Sequence, residues 1–226
     1  MSQQPLPALS LLETRVLGVL IEKQHTVPDT YPLSLNALVA GCNQKSSRDP
    51  VLNAGEAEVQ AAIDHLKSLS LMMEGSGNRV TRYEHNVGRV LQLPSQSVAI
   101  LATLMLRGLQ TPGELRINCE RLHKFSDISS VEVFLSELRE RVAGALVDEL
   151  PRRPGSRENR WAHLLCGVPA IEAAPAAPVQ AMTGGDVTIG ELAALKANVA
   201  RLEDEVVQLK ATVAKMCAEL GISHLK

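Results

Sequence analysis

The sequence predicts a mainly α-helical protein with small β-hairpins, in the α+β class. Three observations predict this fold: an internal repeat, a stretch rich in Pro, Ala and Gly that follows it, and a heptad pattern near the C-terminus. A chain of 226 residues is long enough for one or two domains. The repeat favours two small ones.

The internal repeat is clearest at one short motif. A Gly-Ser pair followed by the run Arg-aromatic-X-His occurs at 75–85 and again, two residues shorter, at 155–163. Glycine in such a position is typical of a turn, and short apolar runs precede it around Leu71–Met73 and Ala145–Val147. Each copy is therefore expected to end in a β-hairpin.

Three helices are predicted ahead of each hairpin. The first helix begins at the capping box Ser10–Glu13 in one copy and near Ser95 in the other. The second helix begins at Ser34 and at the capping box Thr111–Glu114. The third helices repeat one apolar spacing, in which Val59, Ile63 and Leu66 match Val131, Leu135 and Leu138.

The order helix, helix, helix, strand, turn, strand is that of a winged helix, in which three helices surround a small core and a β-hairpin forms the wing. We therefore predict two tandem winged-helix domains, at 8–88 and 93–167. Residues 168–187 are rich in Pro, Ala and Gly and offer little to bury, so they are predicted to be a linker.

Residues 188–221 are predicted to form a coiled-coil helix. Apolar residues alternate at spacings of three and four over four heptads, with valine at successive a positions, which is typical of two parallel strands. We therefore predict a homodimer, whose seam consists of Leu192, Leu195, Val199, Leu202, Val206, Leu209, Val213, Met216 and Leu220. The alternative is an amphipathic helix that folds back on its own globular part.

Over about residues 9–166 the chain resembles the bacterial YceH family, an uncharacterised group described as tandem winged helices. The resemblance is carried by long motifs, among them Tyr31–Ser34, Cys42–Lys45, Arg48, Pro50-Val51, Gly77–Thr81, Thr111–Arg116 and Phe125–Asp127. The resemblance implies this architecture and a C-terminal coiled-coil tail. It implies no activity, ligand or functional residue.

Catalytic motifs are absent from the sequence, which contains no HExxH, GxSxG or GxxxxGK[ST] pattern. The four cysteines lie far apart with no CxxC, so neither a disulfide scaffold nor a zinc ribbon is expected. We predict a protein that is not an enzyme and that uses no cofactor and no metal. With no leader-like start and no apolar run of membrane-spanning length, it is expected in the cytoplasm, away from membranes.

Binding is the function class that the local charge favours. The net charge of −2 excludes a protein that holds nucleic acid by bulk positive charge, yet the predicted second wing, Pro151–Arg160, holds four arginines and one acid. We therefore predict a regulatory or architectural protein that contacts duplex DNA through its wings and one loop. The candidate residues are Lys45, Arg48, Asn78, Arg79, Arg82, Arg152, Arg153, Arg157, Asn159 and Arg160.

The third helices argue against DNA. In a standard helix-turn-helix this helix enters the major groove, yet here Glu56, Glu58 and Asp64 outnumber Lys67 in the first copy, and acids also outnumber bases in the second. The alternative function is therefore a scaffold whose acidic third helices bind a basic protein. A third interpretation is that the arginine-rich turns are simply solvated or pair with nearby acids.

Overall fold

A computed structural model describes residues 7–75, 80–152 and 158–167 of the chain. Within these ranges the fold is mixed α/β, with seven α-helices and two small antiparallel hairpins. The predicted linker (168–187), the predicted coiled-coil helix (188–221) and all nine residues of its seam lie outside the described residues.

The elements follow the predicted order. The first half consists of α1 (Leu11–Thr26), a 3-10 turn (Pro28–Thr30), α2 (Leu35–Cys42), α3 (Glu56–Ser68), β1 (Met72–Gly75) and β2 (Arg82–His85). The second half consists of α4 (Val87–Val90), α5 (Ser95–Arg107), α6 (Pro112–Asn118), α7 (Ile128–Arg139), β3 (Val147–Leu150) and β4 (Arg160–His163).

Both predicted capping boxes are confirmed. The Ser10 hydroxyl accepts from the Glu13 N–H at 3.2 Å, and the Glu13 carboxylate accepts from the Ser10 N–H at 2.7 Å. Thr111 and Glu114 make the same pair of bonds, at 3.2 and 2.9 Å. Each box satisfies N–H groups that the helix start leaves without an intrahelical partner, so α1 and α6 begin at the predicted residues.

The repeat extends to the backbone pairing of the hairpins. Tyr83 exchanges two backbone hydrogen bonds with Leu33, and Trp161 exchanges two with Gln110, so in each half a short segment ahead of the second helix bridges to the hairpin. Tyr83 and Trp161 are 5% and 7% exposed, so the two aromatic residues occupy equivalent buried positions.

The two halves share one hydrophobic core. Helix α1 packs against α5, and the central turns of both helices are buried all round. Gly18 lies at the crossing, because a Cβ built there would be 2.9 Å from the side chain of Leu106. The two helices therefore approach closely only because this position has no side chain.

Backbone hydrogen bonds also join the halves. The Leu9 N–H donates to the Leu165 carbonyl at 2.7 Å, and the Asp49 N–H donates to the Leu106 carbonyl at 2.8 Å. Asp49 lies in the loop between α2 and α3, so this loop lies against the end of α5. None of the helices in the described ranges is long and apolar enough to cross a membrane.

Candidate interaction surfaces

The structure corrects the expectation for Arg48. Its side chain is fully buried, and its guanidinium binds the Glu22 carboxylate at 2.6 and 3.1 Å while Nε donates to the Gly41 carbonyl at 3.2 Å. The planar guanidinium suits a bidentate carboxylate pair, and this pair fastens the α2–α3 loop to α1. Arg48 therefore faces the protein interior and cannot meet phosphates, whereas Lys45 in the same loop is exposed.

A second buried arginine, missed by the sequence analysis, holds the same loop. Arg15 on α1 is fully buried and donates to the backbone carbonyls of Cys42, at 3.2 Å, and Pro50, at 2.6 Å. Burial lowers the pKa of Arg15, and the neighbouring charge of Arg48 lowers it further. The signal available in the sequence was an arginine directly ahead of the apolar run Val16–Ile21, a residue type rarely buried without a dedicated partner.

The first hairpin offers little free positive charge among its described residues. Arg82 is half-buried and donates to the carbonyls of Pro32, at 2.7 Å, and Thr30, at 3.2 Å. These bonds hold the guanidinium against the segment that precedes α2. Asn78 and Arg79, the other two candidates from this turn, lie outside the described residues.

The second hairpin uses its asparagine for its own structure. The Asn159 side chain accepts from the Arg152 N–H at 3.1 Å and donates to the Glu149 carboxylate at 2.9 Å. Arg160 lies 3.5 Å from the Glu114 carboxylate, and both side chains are more than a third exposed, so this surface pair is weak. The Arg152 side chain is exposed, while Arg153 and Arg157 lie outside the described ranges.

Cations on the third helices pair with carboxylates of the hairpins. In the first half Lys67 of α3 binds Glu74 of β1. In the second half Arg139 of α7 lies 3.3 Å from Asp148 and 3.5 Å from Glu149 of β3. The two pairs are equivalent, since Glu74 stands opposite Tyr83 and Glu149 opposite Trp161 in the strand registers.

This pairing leaves the outer faces of the third helices acidic. His65 of α3 is also engaged, with Nδ1 2.7 Å from the Glu13 carboxylate. The exposed carboxylates on these faces are Glu56, Glu58 and Asp64 on α3, Glu132 and Glu137 on α7, and Glu140 directly after α7. The predicted excess of acid therefore points outward, while the helix cations are turned to the hairpins.

A groove of about 410 Å³ lies between α6, α7 and the second hairpin. Its walls combine apolar and acidic groups, and its lining consists of Pro112, Ile128, Glu132, Ser136, Glu149, Glu158, Asn159 and Trp161. Ile128, in the first turn of α7, is 46% exposed. Ile128 could not be identified from the sequence. A single apolar residue at the start of a helix can be a core residue or an exposed contact residue, and no local pattern distinguishes the two.

The buried thiols offer no nucleophile. Cys42 and Cys119 occupy matching positions in the two halves and are fully buried, and burial raises the pKa of each thiol to about 11. A thiol is reactive as the thiolate, which such a pKa suppresses near neutrality. In the part of the chain that the structure describes, no group of three or more His, Cys, Asp or Glu residues could hold a metal ion.

Comparison with known proteins finds a matching family profile and several close relatives of this chain. Residues 9–156 match the profile of a family described as a protein of unknown function, DUF480. A UPF0502 protein of Burkholderia orbicola is 60% identical over 215 residues, which cover 95% of this chain and 90% of the relative. A UPF0502 protein of Cupriavidus metallidurans is 58% identical and covers 98% of this chain, and one of Dechloromonas aromatica is 58% identical and covers 94% of it.

Proposed function

The chain belongs to the DUF480 family of UPF0502 proteins, and from that premise we propose that it is a non-enzymatic protein-interaction module. Its acidic third-helix faces would bind a basic surface of another protein. This is the scaffold alternative of the sequence analysis, and one observation carries it: the cations of α3 and α7 are paired with hairpin carboxylates, while the acids of both helices face outward.

The physical reason is electrostatic. A helix that enters the major groove lies between two rows of phosphates, so its exposed carboxylates would be repelled by DNA. Its basic residues would need to be free to reach those phosphates. Here Lys67 and Arg139 each lie beside hairpin carboxylates that offset their positive charge, and the other charged groups exposed on these faces are acidic. The same faces therefore suit a positively charged protein better than a nucleic acid.

The proposal also includes the finer architecture. Each half is a winged helix, as the helix order, the bridge ahead of the second helix and the closing hairpin support. The heptad pattern of residues 188–221 supports a homodimer through a parallel coiled coil. The complete molecule would then present two copies of each acidic face.

Site-specific photocrosslinking in the native host tests this function. A photoreactive amino acid would replace exposed Ser136 on α7, with the fully exposed Val142 in the following loop as the matched control position. We expect a discrete adduct from position 136 that protease removes and nuclease leaves intact, and no such adduct from position 142. Nuclease-sensitive adducts at position 136 would contradict the proposal.

Nucleic-acid binding is the second candidate function, and the exposed side chains of Lys45 and Arg152 favour it. Binding through these residues would use phosphate contacts alone, because Arg48, Arg82 and Asn159 are engaged within the protein. Such binding would be salt-sensitive and only modestly sequence-selective.

A further inference from the structure

We infer that the groove between α6, α7 and the second hairpin binds a short peptide segment in which an Arg or Lys accompanies a large apolar residue. This inference rests on the proposed interaction function and names the partner chemistry of one surface. The lining of the groove supplies both requirements, an apolar anchor point and a carboxylate rim.

The apolar requirement follows from the groove's exposed hydrophobic surface. Ile128 is 46% exposed at the start of α7, and Pro112 at the start of α6 lines the same groove. Trp161 also lines it, although most of its ring is buried in the core. A large apolar side chain of a partner would remove this surface from water, which is how buried anchors contribute most at interfaces.

The basic requirement follows from the charges around that anchor. Glu132 lies one turn after Ile128, is exposed, and has no ion-pair partner among the described residues. Glu149 accepts from the Asn159 amide at 2.9 Å and pairs with Arg139 at 3.5 Å, and both members of this ion pair are about a third or more exposed, so a partner's cation could compete with Arg139. A cationic side chain would therefore meet Glu132 and a Glu149 carboxylate whose own ion pair is weak.

The internal repeat explains why we assign the peptide site to the second half of the chain and not to the first. The third helices align through Val59 with Val131 and through their N-caps, Gly55 and Asp127. This alignment sets Ile128, Glu132 and Ser136 against Glu56, Gln60 and Asp64 of the first half. The first half thus has acid at two of these three positions and lacks the apolar anchor, so it provides a matched control within the same chain.

Selection from a random peptide library displayed on phage, with the full-length protein as bait, tests the inference. We expect enriched peptides of about 12 residues that combine Arg or Lys with Leu, Ile, Phe or Trp. Their affinity, measured by fluorescence anisotropy with synthetic peptides, should fall about tenfold in Glu132→Lys and in Ile128→Asp. It should be unchanged in Asp64→Lys, which alters the net charge of the chain as Glu132→Lys does.

Each other outcome overturns the inference. Enrichment of acidic or purely apolar peptides, or no enrichment, would exclude the stated chemistry, and equal weakening by Asp64→Lys would show that bulk charge sets the affinity. Circular dichroism checks that each variant is folded. The photocrosslinking result separates the two proposals: protein adducts at position 136 with no Glu132-dependent peptide would leave the interaction function standing and remove this partner class.

Discussion

At the scale of single residues, the structure separates a lysine and an arginine that sequence alone cannot tell apart. Lys45 and Arg48 lie in one loop and were both assigned to phosphate contacts, yet only Lys45 is exposed. Arg48 points inward because Glu22 on α1 offers a carboxylate at 2.6 Å. Burial raises the pKa of Glu22, but the hydrogen bonds and charge of Arg48 outweigh it and hold that pKa below its ordinary value.

Replacement of Arg48 should therefore impair stability. Arg48→Ala leaves the half-buried Glu22 with Lys23 as its one cationic partner within the described ranges, and breaking a buried ion pair in this way costs about 3 kcal/mol. Lys45→Ala, in the same loop, should change the free energy of unfolding by less than about 0.5 kcal/mol. Urea denaturation measures both, and equal stability of the two variants would show that the pair is not structural.

Two histidines should make stability depend on pH. His85 and His163 end the equivalent strands β2 and β4, and burial lowers the pKa of each from 6.5 to about 4. Their Nδ1 atoms are buried without a hydrogen-bond partner among the described residues. The folded protein therefore keeps both rings neutral where the unfolded chain protonates them, so the stability they support is full above pH 6.5 and is lost as the pH falls toward 4.

Denaturation at several pH values checks this effect. Between pH 6.5 and 4 the free energy of unfolding should fall by about 1–2 kcal/mol for each histidine. The double variant His85→Gln, His163→Gln should show a flatter profile across that window and an unchanged profile above it. An identical slope in the variant would show that the two rings are already protonated or solvated in the folded state.

At the scale of elements, local chemistry in the sequence was sufficient for the helix starts and for the repeat. The capping boxes and the apolar spacing of the third helices depend on neighbouring residues, so Ser10, Thr111, Val59 and Val131 were placed correctly. The all-round burial of α1 and α5 depends on contact between segments far apart in the chain. Thr14 and Arg15 on α1 are polar yet fully buried, so no local pattern indicates their burial.

The close approach of α1 and α5 can be tested at its glycine. In Gly18→Ala the new Cβ would lie 2.9 Å from Leu106, so packing should cost about 1–3 kcal/mol, more than the roughly 1 kcal/mol that alanine gains in a helix. Gly113→Ala on α6, whose nearest neighbours would be 3.9 Å away, should be neutral or stabilising. A Gly18→Ala variant as stable as the wild type would mean that α1 and α5 can move apart at no cost in the free energy of folding.

At the scale of the whole molecule, the predicted self-pairing seam occupies residues that follow the two halves in the sequence. We expect the segment 1–168 to be folded and monomeric, and the full chain to be dimeric, because the long heptad pattern occupies residues 188–221. Light scattering on both at micromolar concentration decides this. A monomeric full chain would exclude the parallel coiled coil and favour the fold-back alternative.

The candidate site was only partly predictable, and the reason is geometric. The acidic character of the third helices follows from a count of charges, so the sequence could raise a protein partner as an alternative. Which cations are free depends on partners across the fold, such as Glu74 for Lys67 and Asp148 for Arg139. The groove needs three elements from separate parts of the chain, and no local pattern around Ile128 indicates it.

The rival to a protein ligand is duplex DNA. Titration of a mixed-sequence DNA duplex with the full-length protein at low salt, followed by fluorescence anisotropy, tests this rival most directly. Electrostatic affinity for phosphates is greatest under these conditions. We predict no saturable binding, and the same result for the variant in which Arg152, Arg153, Arg157 and Arg160 are all replaced by alanine. Saturable binding by the wild type that weakens with salt and disappears in this variant would contradict the account and establish the wing as a nucleic-acid site.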